Sequence, residues 1–268
     1  MIGAEDERPK EGPEAHQDAV TVELCDLDRG VCALLRVVRT AGASDPSLLA
    51  LACLDGETAA IGDEPGSVQL DTVEPLSRWT ARFQHGTVAL AAELEATSLP
   101  IDLDEPLLAE AAGVHRYEQL CRVRGELRVD GDRTPIEGVG RRAHAWGDPA
   151  AARFRSLYAV ARERAFTVTA VRPASAGEHG EEVIAAYLVQ PESEPQRFEN
   201  ARLSTIYDAA GRPRSAGLEL LMSGDEYPRR AVGQAVCQTA AEPLQAACFR
   251  WSLVGEPAQG GYQMVTPA

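Results

Sequence analysis

The sequence is poor in aromatic side chains, at 5% against 44% hydrophobic residues overall. Its core must therefore be built mainly from Ala, Val and Leu. No run approaches the ~20 apolar residues of a membrane span, and no secretory h-region opens the chain. Zinc-type spacing is missing, because no C-x-x-C pair occurs and the histidines are scattered. There is no G-x-S-x-G elbow, P-loop, H-E-x-x-H or Cys/His nucleophile pattern, so hydrolase and kinase readings have little support. Positive charge is also short: 26 Lys and Arg face 41 Asp and Glu, for a net charge of −15. A nucleic-acid binder would show a basic face, and an anionic membrane would repel this surface. Neither partner is expected.

The six cysteines are Cys25, Cys32, Cys53, Cys121, Cys237 and Cys248. Most sit in apolar strand-like runs, where cysteine behaves as a small hydrophobe. The reading is a cytoplasmic protein with reduced thiols, with a Cys25–Cys32 pair as the alternative. No metal or nucleotide cofactor is expected.

A two-residue rhythm fills most of the chain. Cys32, Leu34, Arg36 and Val38 alternate with Ala33, Leu35 and Val37. Cys121, Val123, Leu127 and Val129 share one face of a strand whose other face carries Arg122, Arg124, Glu126 and Arg128, which predicts one dry and one wet side. Hairpin turns are marked by Asp55-Gly56 and Asp130-Gly131, with further turn signals at Ala176-Gly177, Ala210-Gly211, Gly224-Asp225 and Glu242-Pro243. Only Pro106–Ala112 reads as helical. About fourteen strands with regular turn punctuation indicate an antiparallel sandwich or barrel. Residues 1–18 are acidic and polar and read as a disordered tail. The expected domains are 19–112 and 113–255, divided near Ala111–Val114, with 256–268 a flexible tail.

The stretch Arg142-Ala143-His144-Ala145-Trp146-Gly147-Asp148 gathers the most chemistry. If extended, it points Arg142, His144 and Trp146 one way and the two alanines the other. His144 suits general acid–base work because its pKa lies near neutrality, with Arg142 and Asp148 as its partners. The competing reading is structural: Trp146 plugs one end of a barrel and Arg250 stacks on it. Gly138-Val139-Gly140-Arg141-Arg142-Ala143 matches G-x-G-x-x-A in form, yet no apolar strand precedes it and no helix pattern follows, so a dinucleotide site is excluded. The glycines fit a bulge or close strand packing. Tyr117 either hydrogen-bonds a ligand or anchors an interdomain contact. Tyr158 is placed to reach the same cavity as His144.

Three segments carry a family resemblance: Val114–Gln119, Gly125–Gly131 and Gly138–Gly147. With Glu74–Phe83 and Phe249-Arg250-Trp251, they resemble the lipocalin-like superfamily of AttH and hydroxyneurosporene synthase (carotenoid 1,2-hydratase) proteins over about residues 20–255. The resemblance implies an all-β fold of two packed antiparallel lipocalin-like β-barrel domains. It implies binding of a hydrophobic small molecule of isoprenoid, polyketide or acyl type, in a barrel or in a cleft between the two. Arg142, Trp146, Tyr117 and Tyr158 are the expected ligand contacts. The alternative is a hydratase, lyase or cyclase in which His144 and Asp148 exchange protons with an unsaturated substrate. Ala143 stands where the family pattern carries an acidic residue before the histidine.

Overall fold

The computed structural model describes residues 2–13, 16–64, 67–103, 105–176, 181–191 and 193–266. Gly177 of the expected Ala176-Gly177 turn lies outside them. The period-two pattern becomes 19 strands among the described residues, and the helix α1 spans Pro106–Ala112. The first sheet holds β1 (Gln17–Asp26), β2 (Val31–Thr40), β3 (Ser47–Leu54), β4 (Glu57–Gly62), β5 (Val68–Glu74), β6 (Arg78–His85), β7 (Val88–Ala96), β8 (Ile101–Asp102), β9 (Val114–Val129) and β10 (Asp132–Gly147). The second holds β11 (Ala152–Val160), β12 (Ala165–Pro173), β13 (Val183–Val189), β14 (Gln196–Arg197), β15 (Asn200–Tyr207), β16 (Pro213–Leu221), β17 (Arg229–Ala241), β18 (Leu244–Leu253) and β19 (Glu256–Val265).

Both sheets are antiparallel throughout and share one wiring. The first runs β4-β3-β2-β1-β10-β9-β7-β6-β5, with β8 pairing β9, and the second runs β14-β13-β12-β11-β19-β18-β17-β16-β15. In each, four strands form a meander, five more form another, and the last strand pairs with the first. The fold is all-β and lipocalin-like, as the resemblance implied. The Asp55-Gly56 and Asp130-Gly131 hairpins have positive φ at both residues, the geometry of tight primed turns.

Each sheet curls around its own core. Trp79, Phe83, Leu90, Leu94 and Val123 fill the first, while Phe166, Phe249, Trp251, Tyr262 and Met264 fill the second. The scarce aromatics are concentrated there: Phe249 stacks on Trp251 and on Tyr262 at ring separations of 5.3 and 5.4 Å. The long strands β9 and β10 are then buried twice over. One face lines the first core, and the other face of their mutually paired halves packs on the second sheet, so every residue from Arg116 to Cys121 is buried. A Cβ on Gly138 or Gly140 would lie 2.3 Å from the Cys25 carbonyl oxygen or 2.6 Å from that of Glu23. The glycines thus serve close packing of β10 on β1, and the ladder between these strands is unbroken.

Three expectations are corrected. The boundary near 111–114 falls within the first sheet, since β9 and β10 belong to it. The proline-bearing stretch at 99–106 marks an excursion around the sheet, and the chain crosses to the second sheet at residues 148–151. Residues 2–13 are not a free tail: Ala4–Glu7 forms a 3₁₀ turn whose Glu7 side chain docks on the first sheet. Residues 256–265 form β19, paired with β11 and β18.

The cysteines also depart from expectation. Cys32–Cys248 and Cys53–Cys237 are disulfides joining the two sheets, and Cys25 and Cys121 are free and buried. Partners 216 and 184 residues apart carry no local spacing signal. Strand register creates the site: Cys32 pairs Cys53 across β2 and β3, Cys237 pairs Cys248 across β17 and β18, and the two pairs face each other. No described helix is long and apolar enough to cross a membrane.

Candidate functional site

The alternation of β10 holds. Arg142, His144 and Trp146 share the face toward the first core, with Tyr117 directly opposite His144 on β9. The rings of His144 and Trp146 are 5.1 Å apart, and Tyr117 meets His144 edge-on at 5.8 Å. The N-terminal segment covers this cluster. The Glu7 carboxylate lies 2.6 Å from the Arg142 guanidinium and accepts hydrogen bonds from Tyr117 Oη (2.9 Å), Trp79 Nε1 (3.2 Å) and Thr72 Oγ1 (3.2 Å). Arg142 also donates to Tyr117 Oη at 2.8 Å and sits 5.1 Å above the Trp79 ring. Burial pushes the Tyr117 phenol up.

His144 contacts Asp18 Oδ1 through Nε2 at 2.6 Å and the Asp6 carbonyl oxygen through Nδ1 at 2.8 Å. Burial opposes ionisation of Asp18. The hydrogen bond from His144 and the nearby Arg39 outweigh it and hold the carboxyl below its usual range.

Asp148, expected beside His144, lies elsewhere: it is mostly exposed, 3.7 Å from His16 Nδ1. Asp18 takes the place beside His144, and its position 126 residues upstream hid it. Arg250 does not reach Trp146. It is exposed on β18 opposite Gln234 and Gln259, and Lys10 Nζ sits 5.1 Å above the indole instead. Tyr158 is on β11 and faces away from His144, with its ring 5.0 Å from the Arg141 guanidinium. Its buried hydroxyl has no hydrogen-bond partner among the described residues.

The opposite face of β9 and β10 is the seam between the sheets. At its centre Arg141 reaches Glu23 through Nε (3.0 Å), Glu118 (3.2 Å) and Ser156 Oγ (2.6 Å). Arg116 also binds Glu118 at 3.2 Å, and Thr167 donates to the same carboxylate. Burial raises Glu23. Glu118 is also desolvated, but the charges of Arg141 and Arg116 hold it down.

At one end of the seam lie the disulfides. The Cys25, Cys32 and Cys248 sulfurs fall within 4.8 Å of one another. Two of them are already joined, and burial pushes the Cys25 thiol up, so this trio is a poor metal ligand set as it stands.

At the other end the sheets part into a cleft of about 610 Å³. Ala19, Val38, Leu49 and Ala145 line it from the first sheet, Ala152, Phe154 and Val265 from the second, and Pro149 and Ala150 of the crossing link close one side. Its polar groups are Thr21, Arg36, Arg116 and Gln263 within, Gln17, Thr40 and Ser47 along the first sheet, and Asp63 and Glu242 exposed on the wall. A second cavity, of about 550 Å³, lies by Leu99, Val139 and Val160 and carries Arg162, Glu163 and Arg164. The first cleft has the size and the mostly apolar lining of a small-molecule site. The sequence pointed to a cleft between domains but to none of these side chains, because Arg36 and Arg116 come together only where the two sheets meet.

Residues 3–247 match the family described as domain of unknown function (DUF7064). No protein of curated function matches. Among solved structures, the chain is similar to a Nitrosomonas europaea protein assigned as AttH, at TM-score 0.68 and 12% identity over 98% of both chains. It is similar to kievitone hydratase from Nectria haematococca, at 0.65 and 13% over 93% of this chain and 88% of that one. It is also similar to CghA with Sch210972, at 0.65 and 13% over 94% and 89%. At these identities the likeness establishes the fold they share.

Proposed function

The chain belongs to the DUF7064 family, and we propose that it binds an apolar small molecule, of isoprenoid, polyketide or acyl type, in the cleft between its two sheets. The observation that carries this reading is the cleft: about 610 Å³, walled by alanine, valine, leucine and phenylalanine, with a few polar groups to orient a guest. The CghA structure named with Sch210972 supports it, as a protein of this fold taken together with a small molecule. A guest of about 25 non-hydrogen atoms at roughly −0.3 kcal/mol each would bind with a Kd of about 3 μM.

The test is titration with Nile red, a neutral apolar dye. Wild-type protein should enhance its fluorescence saturably, and Ala145→Trp, which fills the cleft from β10, should weaken binding at least about tenfold, equivalent to ~1.4 kcal/mol. Equal binding by both proteins would place the dye elsewhere and end the proposal.

A second reading is acid–base chemistry on an unsaturated apolar substrate. The buried 2.6 Å contact between His144 and Asp18 favours it, as does the hydratase named among the similar folds. Asp18 then takes the part assigned to Asp148. Arg142, Trp146 and Tyr117 line the substrate's approach, which the segment carrying Glu7 must vacate. Tyr158, across the seam, has no part in this arrangement. Loss of turnover in a folded His144→Gln variant would support this reading, and undiminished turnover would refute it.

A further inference from the structure

We propose that the guest of the cleft carries an anionic oxygen group (a carboxylate, enolate or phenolate) at one end of its apolar body, and that Arg36 receives it. This rests on the cleft being the binding site.

Among the described residues the fully buried arginines have carboxylates, whereas Arg36 is half-buried. Arg141 binds Glu23 and Glu118, Arg142 binds Glu7, Arg155 binds Glu182, and Arg116 binds Glu118. Arg36 has none among the described residues. It sits mid-strand on β2, opposite Thr21 on β1 and Leu49 on β3, and its buried Nε has no hydrogen-bond partner. A cation held against an apolar wall without a counter-ion is costly unless something supplies one. Arg36 lines the cleft, and so does Arg116, whose Nε is also without a partner. Burial and the charge of Arg116 push Arg36 down to about 10, so it remains a cation at neutral pH.

Charge therefore varies with depth. The cleft's own carboxylates, Asp63 and Glu242, are exposed to solvent, and its unmatched positive charge lies inside. A guanidinium with free donors suits a planar, two-oxygen anion, to which it can donate twice. The apolar body then lies along Val38, Leu49 and Phe154.

The experiment is displacement of Nile red at pH 8 by dodecanoate and by dodecan-1-ol, both below micelle-forming concentration. Wild-type protein should prefer dodecanoate by at least about tenfold. Arg36→Met should abolish the preference by weakening dodecanoate alone, and Arg36→Lys should keep part of it. Removing an unmatched cation should leave the melting temperature of Arg36→Met equal to or above that of wild type, which shows that the lost preference is not unfolding. Equal affinity for acid and alcohol in wild type, or a preference that survives Arg36→Met, overturns the assignment to Arg36 and leaves the cleft as a site for neutral guests. No saturable dye binding, or binding indifferent to Ala145→Trp, removes the cleft reading and this proposal with it.

Discussion

Glu7→Ala tests whether the N-terminal segment is part of the fold. The Glu7 side chain is only 4% exposed and serves four donors: Arg142, Tyr117, Trp79 and Thr72. Removing it leaves the buried guanidinium of Arg142 without a carboxylate. Breaking a buried ion pair from one side costs about 3–5 kcal/mol. In a protein of this size each kcal/mol moves Tm by roughly 2–4 °C, so the expected fall is about 6–20 °C. The assay is a thermal melt followed by circular dichroism. A cycle with Arg142→Met separates the pair from its surroundings: the double variant should recover stability, with a coupling of about 1–3 kcal/mol. Trypsin gives an independent readout, since cutting after Lys10 should speed up once the segment loses its anchor, whereas Pro9 protects the bond after Arg8. A Glu7→Ala variant melting within about 2 °C of wild type and cut no faster would refute the docking of this segment.

Two further outcomes follow. Peptide mapping without reduction should recover the Cys32–Cys248 and Cys53–Cys237 pairs, and alkylation of the denatured, unreduced protein should label two thiols, Cys25 and Cys121. The loop of 216 residues gives the outer bridge about 5 kcal/mol in the chain-entropy treatment, and the nested bridge adds less, so reduction should lower Tm by at least about 10 °C. Four labelled thiols or more would contradict the pairing. The second outcome concerns acid. The folded pKa of Asp18 lies below its ordinary value near 3.8. Its contribution is therefore complete above that value and is lost as pH falls through the folded one. Asp18→Asn should flatten the acid limb of the stability profile below about pH 4, and a limb as steep as in wild type would show that Asp18 does not carry it.

How far the sequence could be read depended on how local each signal was. Alternation in β2, β9 and β10 and the paired positive-φ turns are written in neighbouring residues, so strands and hairpins were legible, as was helix α1. The shared face of Arg142, His144 and Trp146 followed from the same rhythm. Long-range partners were not legible. Glu7 and Asp18 sit in a segment whose composition reads as disorder, and they are ordered by the first sheet, which offers Arg142 and His144 as hydrogen-bonding partners. Arg116, Glu118 and Arg141 look like solvated strand charges until the second sheet covers their face. The disulfides and the cleft arise only when two sheets meet. Strand β19 escaped notice because Glu256, Pro257 and the glycine pair Gly260-Gly261 resemble a loose end, yet a Cβ on Gly260 would lie 1.9 Å from the Tyr158 carbonyl oxygen.

The wiring shared by the two sheets has a bearing on how such a chain can be cut and rejoined. Because the last strand of each sheet lies beside its first, every half begins and finishes at one spot; Gln17 faces Gly147 across the ladder. A break at 149 leaves two complete modules, each with its ends together. A break at 112 would strip β1 and β7 of their inner neighbours and expose two new rims. The short link at 148–151 is thus the natural seam for duplication, excision or grafting, and it also forms one wall of the cleft.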